Sequence, residues 1–519
     1  MAELSERPFP PGTYPVVVVG SGPGGLQISY SLSRLGIDHA VISADEAPGG
    51  MFRRWPFFQR LLSWTKPFAP VDHGERAYER YDWNSLLADE PANRSLMPSL
   101  MDGSSYFPSR PEMERNLASF AERAAVRVRY GCAWTGTRRE PSADGDTFVI
   151  ETTDGEYRTP TAIFAVGVAE PYAPPTPGIE AAAHYASTRA AETYADRRVF
   201  IIGKQNSGFE LASGLLQWAR SITLASPSPA KLSVNTNSLV GIRARYVQPF
   251  EDHVLGGGVV VLDAAIQEIR RLAEGLFEVR ARPSAGGEEL TFEVDDVIAA
   301  TGFVTPLGDL PGLGVTTFGQ SRLPAQTPYW ESGSVPSLFF AGTISQGAGG
   351  LKKHGLPSNS GAVHGARYNA RVLARHIARH HDIVPDRPAI EPAVLVDTLA
   401  RELAASPELW HQRAYLTHVF SLDQSEGIRD EGIQPLAAFV DGTGDDGTTD
   451  AIALTIEADG SGAIYPVVYT RREGRLDEHA FDADPLLRYD TPDVRRRLAE
   501  LVRNVSTGAA APGRASQET

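Results

Sequence analysis

The chain has 519 residues, 42% hydrophobic and 22% charged, enough for two or three domains with cores of their own. It holds no apolar run long enough to cross a bilayer, and its first residues show neither a basic n-region nor an apolar h-region, so a cytoplasmic protein is expected. A net charge of −15 and a pI near 5.3 argue against nucleic acid and anionic membrane as partners, and the single cysteine, Cys132, removes a dithiol cycle within the chain, Fe–S clusters and Cys-rich zinc sites.

In chain order, the run from Pro15 to Val19 is short, apolar and β-branched, the pattern of a buried parallel strand. Gly20-Ser21-Gly22-Pro23-Gly24-Gly25 follows, then a helical stretch to Leu35 closed by Gly36, then a strand at Ala40-Val41-Ile42. Strand, glycine turn, helix and strand form the context in which G-x-G-x-x-G binds a dinucleotide. Gly20 permits the tight turn, Gly22 lets backbone approach a pyrophosphate, and Gly25 lets the helix pack on the strand with its N-terminus toward the phosphates. A long aromatic loop over 49–100, a helix opening near Pro111 and strands around Phe148 and Ile163 come next. Cys132 falls in a strand-like stretch and reads as a small buried hydrophobe.

A second unit opens with the apolar run 198–202, the turn Gly203-Lys204-Gln205-Asn206-Ser207-Gly208, a helical run and a strand ending at Ala225. Gln205 replaces the second glycine, so its side chain must point away or the pyrophosphate must sit further out. Ser226, Ser228 and Lys231 are placed to hold a ribose 2′-phosphate, which favours NADPH over NADH; a solvated loop charge is the plain alternative for Lys231. Strand-and-turn character returns from Asp295 to Phe303 and from Ser337 to Gly342, followed by a polar loop and a long helix over 359–381. The expected class is α/β: an outer Rossmann-like domain (1–170 and 292–384) interrupted by a second one (171–291). From 385 to 504 a small α+β appendage is expected, packed over the site or offering a homodimer surface. Residues 505–519 are disordered by composition.

These motifs together resemble the flavoproteins with two dinucleotide-binding domains and, within them, the class B flavin monooxygenases: the flavin-containing, Baeyer–Villiger and N-hydroxylating enzymes. The resemblance runs in pieces over residues 14–380. Gly20 to Gly25 resembles the FAD fingerprint, Gly49-Gly50-Met51-Phe52 the turn under the flavin, Tyr106 to Glu112 the aromatic-proline stretch, Ala300-Thr301-Gly302-Phe303 the A-T-G-(F/Y) turn, and Asn206-Ser207-Gly208 the N-S-G of the NADPH motif. The resemblance implies FAD contacts at Gly20, Gly22, Gly24, Gly25, at Gly50, Met51, Phe52 and Trp55, and at Thr301, Gly302, Gly342 and Thr343. It implies NADPH contacts at Gly203, Gln205, Asn206, Ser207 and Gly208. Four positions depart from the pattern. Ser43 stands where an acidic residue grips the adenosine ribose, with Asp45 or Glu46 as substitutes; Thr343 replaces an aspartate near the ribitol; Gln205 replaces glycine; and Gly178 and Glu180 break the Baeyer–Villiger fingerprint around His184.

In such enzymes NADPH reduces FAD, and the reduced flavin meets dioxygen to form a C4a-(hydro)peroxide that oxygenates a small molecule. Here that implies N-hydroxylation of an amine or amino acid. The substrate candidates are Arg243 and Arg245 in one polar run and Lys352 and His354 in another, with Lys352, His354 and Asn359 as catalytic candidates. Arg243 and Arg245 could instead hold cofactor phosphate. The helix over 359–381 should aim its positive end at the flavin pyrimidine. His364 reads as a packed or capping residue, and Trp55, Phe57, Phe58 and Trp64 as cleft wall or plain core. Two other functions stay open: an NAD(P)H oxidase or dehydrogenase with another acceptor, and a degenerate flavoprotein without catalysis.

Overall fold

The computed structural model of the chain describes residues 7–54, 60–141, 145–233, 241–250, 258–320, 322–351, 353, 358–423, 425–442 and 449–507. Its outer unit is built on a parallel sheet in the order Leu338–Phe340, Thr161–Phe164, Val16–Val19, His39–Ile42. Val16 and Val18 enter one core while Val17 and Val19 enter the other. Alternate side chains leave opposite faces of a strand, so a strand covered on both sides must be apolar at every position. Helix α1 (Pro23–Arg34) leaves the first glycine turn. Helix α2 (Arg110–Arg123) opens on a full capping box: the Glu112 N–H donates to the Ser109 side chain, and the Ser109 N–H donates back to Glu112 Oε2 at 2.6 Å.

The inserted unit repeats this logic. Val199 and Ile201 face one core, Phe200 and Ile202 the other, and helix α3 (Asn206–Leu215) leaves the second turn. Its seven-stranded sheet runs Leu290–Val294, Phe277–Pro283, Val259–Arg271, Ser221–Ser226, Arg198–Ile202, Asp296–Ala299, Ala183–His184. This moves one expected boundary. The sequence pattern puts residues 292–299 in the outer domain, but they pair within the inserted sheet, Val199 to Ile202 beside Asp296 to Ala299. The chain crosses back after Ala300, where Phe303 and Val304 pair with Pro171 and Glu170. Cys132 is fully buried as expected, but it lies outside any strand, its N–H donating to the Ser43 carbonyl at 2.8 Å.

Helix α4 (Val363–His380) packs on α1 through the core that holds Leu26, Tyr30, Tyr368, Val372 and Ile377. It starts four residues later than the sequence pattern suggests, because residues 359–361 form a separate turn and Ala362 is extended. That leaves Asn359 before the helix and puts His364 in its first turn. The C-terminal unit is a five-stranded antiparallel sheet in the order Gly427–Pro435, Leu416–Asp423, Ala451–Ala458, Ile464–Arg472, Arg475–Ala480. Helices α5 (Pro392–Ala405), α6 (Pro407–His411) and α7 (Pro492–Thr507) pack against it. Helix α7 carries order past the expected limit of 504, since Leu498, Leu501 and Val505 enter the core. The remainder of the expected tail, 508–519, lies outside the described residues.

The C-terminal unit docks on the outer unit of its own chain. Arg76 reaches Glu402 at 3.0 Å and Glu408 at 2.6 Å, Arg80 donates to the Ala404 carbonyl and covers Trp410 at 3.8 Å, and Gln412 donates to Ser360 and Asn369. No helix among the described residues is long and apolar enough to cross a membrane.

One buried triad of the C-terminal unit predicts a pH dependence. His418 sits between Glu402 at 2.9 Å and Asp430 at 2.7 Å. Burial pulls its pKa down, but the hydrogen bonds and charges of Asp430 and Glu402 outweigh that and raise it to about 9. A raised histidine stabilises the fold fully below its unfolded pKa of about 6.5, and the contribution fades as pH climbs through 9. Thermal melts between pH 6 and 10 should therefore lose more stability with rising pH in the wild type than in His418→Gln. Equal slopes would show that the triad does not hold the proton.

Candidate active site

Both glycine turns have the same geometry for the same reason. Gly20 has φ +114° and Gly203 φ +117°, a region that L side chains rarely adopt. A Cβ on Gly20 would lie 2.6 Å from the Ala165 carbonyl oxygen, and one on Gly203 would lie 2.4 Å from that of Ala300. A Cβ on Gly25 would reach 1.9 Å from Gly20 O, and one on Gly208 2.2 Å from Gly203 O. These four glycines are demanded by protein packing. Gly22 is different: it is extended, with φ −70°, and a Cβ there meets no protein atom within 4 Å. The space in front of it is the cradle that a dinucleotide phosphate would fill. Gln205, its counterpart, is exposed and extended (φ −108°, ψ −165°), a backbone that any residue adopts.

The turns open on one cavity of about 850 Å³, inside the size range of cofactor sites. Gly24 and Gly342 lie back to back: a Cβ on Gly24 would sit 2.4 Å from Gly342 Cα. That contact brings Gly342 and Thr343 to the start of α1, and both line the cavity. The N-termini of α1, α3 and α4 face this space without any side-chain cap, leaving backbone N–H groups for a ligand. Gly50, Met51 and Phe52 form one wall, held from behind by Arg110, which donates to the Phe52 and Arg53 carbonyls at 3.1 Å.

The expected ribose end is shared. Ser43 Oγ meets Ser21 Oγ at 2.8 Å, and the Asp45 N–H donates to Ser43 Oγ at 3.2 Å. This folds the Asp45 carboxylate into the cavity wall, 3.4 Å from both hydroxyls and paired with Arg54 at 3.0 Å. Glu46, offered as a ribose contact, instead points outward: it is exposed and does not line the cavity.

Other expectations are also corrected. Thr301 and Gly302 do not reach the cavity. They stitch the crossover between the units: Thr301 Oγ1 donates to Tyr172 O, and Gly302 O accepts from Tyr172 N at 3.0 Å and His184 Nε2 at 3.1 Å. Phe303 supplies the wall there. Arg245 is occupied with structure, donating to the Leu61 carbonyl at 2.9 Å and the Tyr246 hydroxyl at 2.6 Å, with Phe107 under its guanidinium at 4.0 Å. Asn359 is likewise structural, bonded to the His411 carbonyl and to Gln412. Trp55, Phe57, Phe58, Lys352 and His354 lie outside the described residues. Lys353, between the last two, is bound to Glu457, Glu478 and Tyr469 of the C-terminal sheet.

In the inserted unit, Asn206, Ser207 and Arg243 line the cavity, and Asn206 Oδ1 accepts from the Arg243 N–H at 3.1 Å. Arg243 Nε has no hydrogen-bond partner among the described residues. Ser226 closes the strand beside the second turn, and Lys231 follows on the surface; neither lines the cavity.

Sequence reasoning missed Glu210. It lies four residues after Asn206, on the same face of α3, and lines the cavity. Tyr185 donates to it at 3.1 Å and Tyr246 at 3.0 Å. Burial pushes its pKa up to about 7, against the lowering effect of those two hydroxyls. The spacing to N-S-G was visible in the sequence; its burial was not. Trp83 and His364 were also missed as partners: their ring centroids lie 4.2 Å apart with the planes tilted by 31°, and both line the cavity.

The profile of the pyridine nucleotide-disulphide oxidoreductase family matches residues 17–342. The chain belongs to this family. Over 232 residues it is 33% identical to FAD-dependent oxidoreductase domain-containing protein 2 of Mus musculus, covering 44% of this chain and 34% of that protein. The chain thus spans about a third of the length of this relative and of its Danio rerio counterpart. The bacillithiol disulfide reductase of Bacillus cereus superposes with a TM-score of 0.54 at 21% identity, over 71% of this chain and 100% of that one. The flavin-containing monooxygenase of Stenotrophomonas maltophilia gives 0.53 at 20% identity, over 71% and 99%. Both structural likenesses concern the fold. As a member of this family the chain is an oxidoreductase.

The two kinds of glycine separate in a simple test. Gly22→Val should fold with the wild-type far-ultraviolet spectrum but purify without yellow flavin, since its side chain enters only the ligand space. Gly25→Val should fail to give soluble folded protein. A yellow Gly22→Val protein with normal FAD content would show that the cradle is misplaced.

Proposed function

We propose that the chain is an NADPH-dependent FAD monooxygenase of a small molecule, with N-hydroxylation of an amine or amino acid as its reaction. One observation carries this reading. The inner wall of the cavity is made by Trp83, Glu210, Arg243 and His364, and the one thiol of the chain, Cys132, is fully buried against Ser43. The chain holds no second thiol to relay electrons to a disulfide, which favours an acceptor that meets the flavin directly, dioxygen in this reading. The fold shared with the Stenotrophomonas monooxygenase supports it, as does the N-S-G turn.

Bound FAD supplies hydride acceptance and the reduction of dioxygen. The side chains of this protein position, screen and balance charge. Trp83 and Phe52 place aromatic rings on the cavity wall. Arg243, drawn below its ordinary pKa by burial yet still a cation, offers a guanidinium to a substrate carboxylate or a cofactor phosphate. Glu210 is ionised above about pH 7, and its carboxylate would balance positive charge on a nicotinamide held beside it.

This gives a pH profile. Anaerobic reduction of the flavin by NADPH should accelerate as pH rises through about 7, because that is where Glu210 loses its proton. Glu210→Gln should be slower at pH 8 by about tenfold, the effect of ~1.4 kcal/mol, and should lose the inflection. Stopped-flow absorbance between pH 6 and 9 measures it; an unchanged inflection in the variant would remove Glu210 from the site.

The shared fold with the bacillithiol disulfide reductase supports a second reading, an NAD(P)H oxidase or dehydrogenase with another acceptor. Mixing the NADPH-reduced protein with oxygenated buffer separates the two. A long-lived species absorbing to the blue of oxidised flavin, consumed faster in the presence of an amine or amino acid, is expected. Immediate reoxidation with stoichiometric peroxide, with or without such compounds, would assign the oxidase.

A further inference from the structure

A second cavity, of about 460 Å³, lies between the outer unit and the C-terminal unit and shares no lining residue with the first. Its volume falls within the range of small-molecule sites. One side is a face of α4, where Tyr368, Arg371, Val372 and Arg375 recur at the three- and four-residue spacing that aligns side chains on a helix. Opposite stand Glu402 of α5, Glu408 of α6, and His418, Asp430 and Gly432 of the C-terminal sheet.

The arginines of this cavity are not equally occupied. Arg34 and Arg371 share Asp89 at 3.0 and 2.8 Å, and Arg76 pairs with Glu402 and Glu408. Arg375 pairs with no carboxylate among the described residues; it donates to the Asp386 carbonyl at 3.0 Å. The acids nearest to it are committed elsewhere: Asp430 accepts from His418 and from the Gly432 N–H, and Glu431 accepts from Arg387 and Ser421. A guanidinium carries five donors, so most of those on Arg375 remain for a ligand. Burial and the charge of Arg379 draw its pKa below the ordinary arginine value, an effect that an anion beside it would oppose. The sheet also makes room for this group. Val419 faces Gly432 while Phe420 faces Asp430, so Glu431 bulges out of the ladder and the strand bends there. Gly432 has φ +78°, and a Cβ on it would lie 3.3 Å from Arg375 Cζ.

The charges around Arg375 decide which anion fits. Arg34, Arg76, Arg371 and protonated His418 balance Asp89, Glu402, Glu408 and Asp430, which leaves Arg375 and the exposed Asp386. A single negative charge matches the one unpaired guanidinium; a dianion such as phosphate would meet the carboxylates of the opposite wall without a second free cation. Leu35, Val372 and Ile433 add apolar surface. We propose that this cavity binds a small monocarboxylate on an apolar stem, its two oxygens held by the Arg375 guanidinium and its stem against Leu35, Val372 and Ile433. Carboxylate and guanidinium match as parallel pairs of hydrogen bonds. The inference rests neither on the dinucleotide cavity nor on the reaction proposed above, so its test needs no turnover. A ligand held there touches α4 and the C-terminal sheet together.

The experiment is calorimetric titration of the full chain with hexanoate and with 3-phenylpropionate, comparing wild type, Arg375→Gln, Arg375→Lys and Arg243→Gln. Wild type should bind at least one of the two acids at a single site. Arg375→Gln should bind it about tenfold more weakly, the effect of losing a charge-assisted hydrogen bond. Arg375→Lys, which keeps the charge and loses the planar fork, should fall between them. Arg243→Gln should bind the acid as wild type does, because Arg243 lines the other cavity. If Arg375→Gln does not fold, the uncharged amides of the same two acids decide: they should bind wild type about tenfold more weakly than the acids, with the acid's affinity kept in Arg243→Gln. Binding of neither acid to wild type, or equal affinity in a folded Arg375→Gln protein, would overturn the proposal. So would amides that bind as well as the acids, or inorganic phosphate that displaces them at equal concentration. Loss of binding in Arg243→Gln would overturn it too, assigning the acid to the dinucleotide cavity.

Discussion

The structure turns on a backbone-to-backbone contact that side chains would forbid. Gly24 at the start of α1 touches Gly342 at the end of the last outer strand, with no room for a Cβ on either side. This contact allows a segment 318 positions further along the chain (342 − 24) to close over the first glycine turn. Once Gly342 is there, Thr343 and the run into α4 line the cavity opposite the first turn, and the uncapped ends of α1, α3 and α4 share one space. Helix N-termini left open inside a protein are costly unless something occupies them. The architecture therefore anticipates an anionic, hydrogen-bond-accepting ligand before any particular side chain is considered.

Around that frame the polar side chains divide into those that hold the walls and those that face the ligand. Arg367, 2% exposed, donates to the carbonyls of Ser85 and Glu79 and to the Tyr368 hydroxyl, which pins the loop carrying Trp83 and Leu86 against α4. Arg245 does the same for the segment at Leu61 and Leu62, and Asn359 ties the approach to α4 onto the C-terminal unit. Each spends its donors on backbone carbonyls, the groups that an irregular loop leaves unsatisfied when it is buried. Arg243, Glu210 and His364 face the cavity, Glu210 held there by the Tyr185 and Tyr246 hydroxyls and His364 Nδ1 without a hydrogen-bond partner among the described residues.

The C-terminal unit belongs to this arrangement as a backing layer. Its His411 packs behind His364 and Trp83, and its Gln412 bonds Ser360 and Asn369, so the inner end of the cavity is shaped from outside the two dinucleotide-binding units. Of the two places expected for the appendage, the structure shows the one beside the site, docked on the outer unit of the same chain.

Much of the frame was legible in the sequence alone. Four-residue apolar runs, glycines at fixed offsets and the helical stretches after them are local signals, and local sterics decide them: a φ near +115° admits glycine, and a strand covered on both faces admits only apolar side chains. One cysteine in 519 residues excludes a dithiol relay within the chain by counting. The tertiary structure alone decided which polar groups face the ligand. Arg243 and Arg245 are two residues apart in the same motif, yet one lines the cavity and the other holds a loop. Strand Asp296–Ala299 follows an apolar pattern that fits either unit, and its hydrogen bonds assign it to the inserted one. The pKa of Glu210 and the unpaired nitrogens of His364 depend on groups distant in sequence, Tyr185 and Tyr246 for the first, Trp83 and His411 for the second. Desolvation and hydrogen-bond satisfaction are sums over such neighbours, and no local pattern in the chain encodes them.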